Sequence, residues 1–372
     1  MKKIFVYCIL IIAEFELNAN NKISFNYYGH QINFESRNIS FKDEYIVNPF
    51  KKIDIDTSVI QLFNNLFLDN NFSNYMIIDF IFEISKNLSQ KTKINSIEYE
   101  IAFFDKYDFN FIVLLQDTDY FVAIQTDMHI DNCVIFNQKS YYIKKHKNNE
   151  NFKIYYWANN NKMMSYNFNE IPLFIIHDTI VPKKYILNDS ILYINNHFNL
   201  NYIDYLKNIP FCFYTDSIFE VPLPTIEMQK NIDKIEKIIE KLSDIEKINF
   251  ILCICQYIEY IDDVLKYNAE RLLMPEVTLL LNSGDCDDKS LLFSFFIYKI
   301  LKYQTVLIMY PNGEHMNVGV EINESDIGDK DFIDIQNRKF IICEPSGLWH
   351  EAGKQIDSVD ISCPVYVWPV FH

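Results

Sequence analysis

Apolar and polar positions alternate in short blocks along the first 220 residues and lengthen into helical stripes after them. In "TSVIQLFNNLFL" (57–68) and "SNYMIIDFIFEISKNL" (73–88) apolar residues recur at three- and four-residue spacing. This spacing predicts helices, with Thr57 or Ser58 and Ser73 as N-caps. The runs "FNFIVLLQ", "YFVAIQT", "CVIFN", "SYYIKK", "FKIYYW" and "ILYINN" are rich in β-branched and aromatic residues and bounded by Asn or Asp. They predict strands, with Asp117-Thr118-Asp119 as the turn between the first two. In "EVPLPTIEM", Pro222 and Pro224 interrupt regular structure, and Thr225 is placed to cap the helix that follows. That helix carries Ile232, Ile235, Ile238, Ile239, Leu242 and Ile245, and a second is expected over 247–267. Residues 287–300 read as an amphipathic helix through Leu291, Leu292, Phe295, Phe296 and Ile300. Strands are expected at Val306 to Tyr310, at 314–320 beyond the Pro311-Asn312-Gly313 turn, and in "KFIIC". The pattern predicts an α+β fold in two parts: an N-terminal α+β domain of unknown role over 20–224, and a second domain over 225–372 with a helix packed on an antiparallel sheet.

Composition narrows the function. The chain has 372 residues, 49% hydrophobic and 16% aromatic, enough to bury a core in each domain. Its net charge of −16 and pI near 4.9 exclude a phosphate-binding surface, so no nucleic-acid partner is expected. Lys2 and Lys3 precede an apolar run, Ile4 to Ala13, too short to span a bilayer, and Ala19 closes the segment. This predicts a signal peptide over 1–19 and export, to periplasm or medium, as a soluble protein; a buried first strand is the alternative. No later segment has the roughly 18 uninterrupted apolar residues of a membrane helix. Removing Cys8 with the leader would leave seven cysteines, an odd number that implies a free thiol or an intermolecular bond. Cys253 and Cys255 lie in an apolar helical stretch and read as core packing.

Six of the seven glycines fall at or after Gly284, which concentrates tight turns and close backbone approaches at the C-terminal end. There "LNSGDCDDKSLLFSFF" sets Cys286 on a polar turn at a helix start. Unpaired N–H groups at such a start stabilise a thiolate and lower the cysteine pKa from about 8.5. Asp285, Asp287 and Asp288 oppose this, so a cationic partner is needed. His315, at the start of a returning strand, supplies one, and Glu344 ends the next strand before Pro345. The three stand 29 residues apart (286, 315, 344), and cysteine, histidine and carboxylate are the parts of a nucleophile, base and orienter. Gln256 is a candidate oxyanion donor beside the Cys286 backbone N–H. Asp288 is a candidate helix cap and support for the site. The run "DCDD" lacks the 12-residue loop of a calcium hand, no Cys/His spacing fits zinc, and "GDK" at 328–330 is not a phosphate loop, so neither metal nor cofactor is implied. His30, His129, His146, His177 and His197 are scattered and form no constellation.

The segment "PEVTLLLNSGDCDDKSLLFSFF" resembles the cysteine segment of the transglutaminase-like superfamily through Pro275, Thr278, Leu279, Gly284, Cys286 and Asp288. "HMNVGV" and "CEPSG" resemble its histidine strand and its Asp-Pro-Thr segment. The likeness covers about 250–350 and implies a papain-like fold and a Cys286-His315-Glu344 triad. It implies acyl chemistry on a protein or peptide substrate, as a cysteine protease, amidase or transglutaminase. The sequence departs from the superfamily in two places: Glu344 stands for its aspartate, and Met316-Asn317 follow His315 where an aromatic residue is frequent. The superfamily also contains members without catalysis, so a silent exported binding or assembly protein is the competing expectation.

Overall fold

The computed structural model describes residues 22–35, 39–47, 50–69, 73–92, 95–116, 118–127, 133–144, 152–158, 160–164, 177–187, 190–209, 219–220, 223–267, 271–310, 315–323, 325, 327–348, 350–354 and 366–371. The predicted leader, Asp117, His129, His146, Cys212, Pro222, Cys363 and the Pro311-Asn312-Gly313 turn lie outside the described residues. Helices and mainly antiparallel sheets are mixed in two compact units, one reaching Met164 and one starting at His177.

The first unit holds hairpins β1 (Lys22–Tyr27)–β2 (His30–Glu35) and β3 (Ile39–Val47)–β4 (Phe50–Ile55). Helices α1 (Thr57–Asp69), α2 (Asn74–Thr92) and α3 (Ser96–Lys106) follow. Strands β5 (Phe111–Gln116), β6 (Asp119–Thr126), β7 (Cys133–Phe136), β8 (Lys139–Tyr142) and β9 (Lys153–Trp157) form an antiparallel sheet in the order β7-β8-β6-β5-β9. The first two helices lie where the apolar spacing put them. Helix α3 has no counterpart in the sequence reading, because its buried positions run nearly unbroken from Ile97 to Phe104 and blur the stripe. Asn95 starts it by accepting from the Ile97 N–H. Fully buried Phe63 joins the helices, with its ring 4.8 Å from Phe80 and 5.1 Å from Phe103. Such pairs add about 0.5–1.5 kcal/mol each beyond area burial.

The second unit begins well before the proline pair. Hairpin β10 (Asp178–Leu187)–β11 (Ser190–Asn199) and helix α4 (Leu200–Asn208) belong to it. The reason is a clamp on α5 (Ile226–Ile239): the fully buried Asn231 side chain accepts from the His197 N–H at 2.7 Å and donates to its carbonyl at 2.9 Å. Thr225 caps α5 by accepting from Met228 N–H. Next comes α6 (Asp244–Gln256), and here the expected long helix over 247–267 is corrected. It stops at Gln256, and Glu259–Tyr260 (β13) pairs in parallel with Ser283–Gly284 (β14) instead of continuing the helix. The short α7 (Asp263–Tyr267) and α8 (Pro275–Leu281) fill the interval.

Helix α9 (Cys286–Phe296) runs into one π-helical turn, Ile297–Leu301. Strands β12 (Phe219–Glu220), β15 (Thr305–Met309), β16 (Met316–Glu321), β17 (Phe332–Ile335), β18 (Arg338–Cys343) and β19 (Tyr366–Phe371) make a sheet ordered β12-β19-β15-β16-β18-β17. Only the β12–β19 pair is parallel. The sheet follows from near-continuous apolar runs, Val306 to Ile308 in β15 and Phe340 to Cys343 in β18, all buried. Gly319 leaves room for side chains of the neighbouring strands, since a Cβ there would lie 2.7 Å from Val306 Cγ2 on β15. Helix α9 packs on β16, and the Ser290 hydroxyl donates to the Met316 carbonyl at 3.1 Å. No described helix is long and apolar enough to cross a membrane.

Candidate active site

Cys286 is the first residue of α9, with Asp285 at the N-cap position. Gly284 precedes it because Asp288, one turn into the helix, leans back: a Cβ on Gly284 would lie 2.8 Å from Asp288 Cβ. Asp288 is fully buried and accepts from the Leu273 N–H at 2.6 Å. It therefore supports the site by tying the α8 approach to α9, and the Asp285 N-cap position makes no side-chain capping bond.

The backbone N–H of Met316 hydrogen-bonds the Cys286 sulfur, and Met316 O receives Ser290 Oγ. These two bonds fix the helix start against the residue that follows His315. The His315 imidazole in turn donates from Nε2 to Glu344 Oε2 at 2.5 Å. Two of the three predicted residues are thus in direct contact, and the third is anchored one residue away along the chain.

Glu344 is completely buried, yet every lone pair is used. Oε1 accepts from the Ser346 N–H at 2.9 Å, the Gly347 N–H at 3.1 Å and the Ser346 hydroxyl. Oε2 accepts from His315 and from the Asn317 side-chain amide, which lies 2.8 Å from Nε2. A carboxylate only accepts, so the Asn317 NH₂ must face it, and the amide oxygen takes the Tyr310 hydroxyl proton at 3.1 Å. Burial would raise the Glu344 pKa, but the hydrogen bond and charge of His315 and the Ser346 donors outweigh it and bring it below the ordinary value. For His315, burial pulls the pKa down, and the Glu344 bond and charge carry it above 6.5.

The thiol behaves differently from the sequence expectation. Burial first, then Asp287 and Asp285, push the Cys286 pKa up to about 12, and the Met316 N–H offsets only part. The helix start does not leave a standing thiolate. Carboxylate oxygens of Asp285, Asp287 and Asp288 lie within 4.8 Å of one another. Burial and a hydrogen bond with Asp285 raise the Asp287 pKa, and burial and the Asp285 charge raise that of Asp288.

Gln256 is not an oxyanion donor: its amide N–H groups go to the Glu344 carbonyl at 3.0 Å and the His350 carbonyl at 2.8 Å. It braces the turn that carries Glu344. Sequence reasoning gave no role to Lys289, 1% exposed, whose ammonium donates to the carbonyls of Ile258 at 2.8 Å and Ser346 at 3.4 Å. Burial lowers its pKa to about 8. A lysine inside an apolar helical stripe, three residues after the cysteine, was the available signal. The described cysteines, Cys133, Cys253, Cys255, Cys286 and Cys343, are all free thiols. No family model and no curated protein matches this chain.

Proposed function

We propose that the protein is a thiol-dependent acyl-transfer enzyme acting on protein or peptide amides, with Cys286 as nucleophile, His315 as base and Glu344 as orienter. The observation that carries this reading is the buried, fully hydrogen-bonded Glu344 bound to His315 Nε2 beside a helix-start cysteine. With Nε2–H committed to Glu344, Nδ1 is the nitrogen left to serve the thiol. It takes the Cys286 proton as sulfur attacks the carbonyl carbon, then gives it to the leaving nitrogen as the C–N bond breaks. Water, deprotonated by His315, attacks the thioester and releases the acid; hydrolysis is the default because water is the default acceptor. The backbone N–H of Cys286, at a helix position with no intrahelical acceptor, is the oxyanion donor that remains once Gln256 is assigned elsewhere. A papain-like arrangement is supported by α9 lying on the antiparallel pair β15 and β16. Export is supported by Lys2, Lys3 and the apolar run after them.

One observation favours the second reading, a silent binding or assembly protein: the thiol held up at about 12. Incubation with 4-nitrophenyl acetate followed by intact-mass analysis separates the two. The enzyme reading expects an acetyl adduct on Cys286 that hydroxylamine removes and Cys286→Ala lacks. Absence of any Cys286 adduct in folded protein favours the silent reading.

A further inference from the structure

We propose that Asn317 is a positioning residue matched to Glu344: its side-chain amide closes the last open side of Oε2 and holds the longer carboxylate in line with His315. The inference rests on the acyl-transfer reading above. The Asn317 amide and Glu344 Oε2 are in contact with each other. A glutamate carries one more rotatable bond than an aspartate, so the same reach is less well defined unless both oxygens are pinned. The 344–347 turn pins Oε1 alone. Oε2 is left to His315, whose ring must be free to gain and lose a proton, and to Asn317, whose amide does not titrate.

The strand sets this up. His315 and Asn317 are two residues apart, so both side chains project from one face of the strand. Asn317 is fully buried and cannot turn to water. Its orientation is fixed from behind by the hydroxyl of Tyr310, itself only 6% exposed, whose ring stacks on His315 at 6.0 Å and 25°. His315, Glu344, Asn317 and Tyr310 form a closed ring of contacts. With Oε2 held facing Nε2 by the Asn317 N–H, a neutral His315 keeps its proton on Nε2, toward the carboxylate, and its lone pair on Nδ1.

The test uses the full chain and two readouts, the rate of Cys286 alkylation by iodoacetamide and the ¹⁵N resonances of the His315 ring. Asn317→Leu, close in volume, should slow Cys286 labelling at pH 8 at least about tenfold, the worth of one hydrogen bond to a charged group. The His315 ring should then show mixed tautomers where the parent shows Nε2–H. Asn317→Asp should raise the His315 pKa by about one unit, through a second carboxylate at Oε2. Should either variant fail to fold, Tyr310→Phe removes only the hydroxyl that orients the amide and should shift the tautomer ratio the same way. Folded variants with the parent's tautomer, His315 pKa and labelling rate overturn the inference. Its failure is distinct from failure of the enzyme reading, in which His315→Ala itself leaves Cys286 labelling unchanged.

Discussion

Glu344→Gln changes one atom of the site, and the structure dictates where the new NH₂ must go. Three donors surround Oε1: the N–H groups of Ser346 and Gly347 and the Ser346 hydroxyl. The amide oxygen has to stay among them. The NH₂ then takes the place of Oε2, where His315 Nε2–H and the Asn317 NH₂ both already donate. Three donors cannot share that point. The cheapest relief moves the His315 proton to Nδ1, so that Nε2 accepts, and that leaves the nitrogen meant for Cys286 already protonated. Losing a hydrogen bond to a charged group costs about 1.5–3 kcal/mol, a factor of roughly 10 to 150. The corresponding carboxylate-to-amide exchange in a serine-protease triad, where the wrong tautomer results, costs ~10⁴. Acetyl-adduct formation at pH 8 should therefore fall by between about 10-fold and 10⁴-fold in Glu344→Gln, with the ¹⁵N signature of an Nδ1–H tautomer. The His315 pKa should fall as well, since the Glu344 bond and charge are what raise it. A rate within threefold of the parent with Nε2–H retained would refute the reasoning.

Other outcomes follow from groups around the site. Buried Glu276 holds its pKa at about 7, through burial and against the Thr225 donors, where 4.5 is ordinary. That difference is worth roughly 3 kcal/mol at ~1.4 kcal/mol per pH unit. The unfolded chain ionises first, so stability should fall as pH rises from 4.5 to 7. In urea unfolding at pH 5 and pH 8, Glu276→Gln should remove its share of that slope, because Gln keeps an acceptor for the Thr225 N–H and hydroxyl. An unchanged slope counts against the assignment. Asp287→Asn should speed Cys286 alkylation at pH 8, since Asp287 follows burial as the main cause of the raised thiol; an unchanged rate in the folded variant contradicts this. Gly319→Ala places a Cβ 2.7 Å from Val306 Cγ2 and 3.0 Å from Phe340 Cβ, and should cost about 1–3 kcal/mol in thermal unfolding. A melting curve that matches the parent's would show that Val306 and Phe340 on the flanking strands give way there.

Some of this architecture is written locally and some is not. Helix α9 starts at Cys286 because a polar turn with glycine precedes an apolar run, and both features can be read from the chain. Strands β15, β16 and β18 follow from apolar runs, and the 29-residue intervals point to Cys286, His315 and Glu344 together. The end of α6 at Gln256 could not be read, because β13 replaces helix only by pairing with β14, which lies beyond α7 and α8. Gln256 looked available as a donor until the turns at 344 and 350 came to lie beside it. The raised thiol follows the same logic. The flanking aspartates are visible in sequence, but burial, the leading cause, depends on what covers the helix start. Asn317 stands two residues from His315 on the strand, which is a local fact; that it meets Glu344 is a tertiary one.

In the proposed chemistry Cys286 and His315 act as one unit, and the pH dependence of Cys286 alkylation tests that most directly. The thiol is held at about 12 and His315 above 6.5, so the proposed chemistry requires neutral His315 to take the sulfur's proton. In the parent, the iodoacetamide rate should rise through an inflection above pH 6.5 that matches the His315 titration seen by NMR. In His315→Ala that inflection should vanish, with labelling at pH 8 about tenfold slower or more, equivalent to one pH unit of lost activation. Superimposable profiles for the two folded proteins, rising only toward pH 12, would contradict the account.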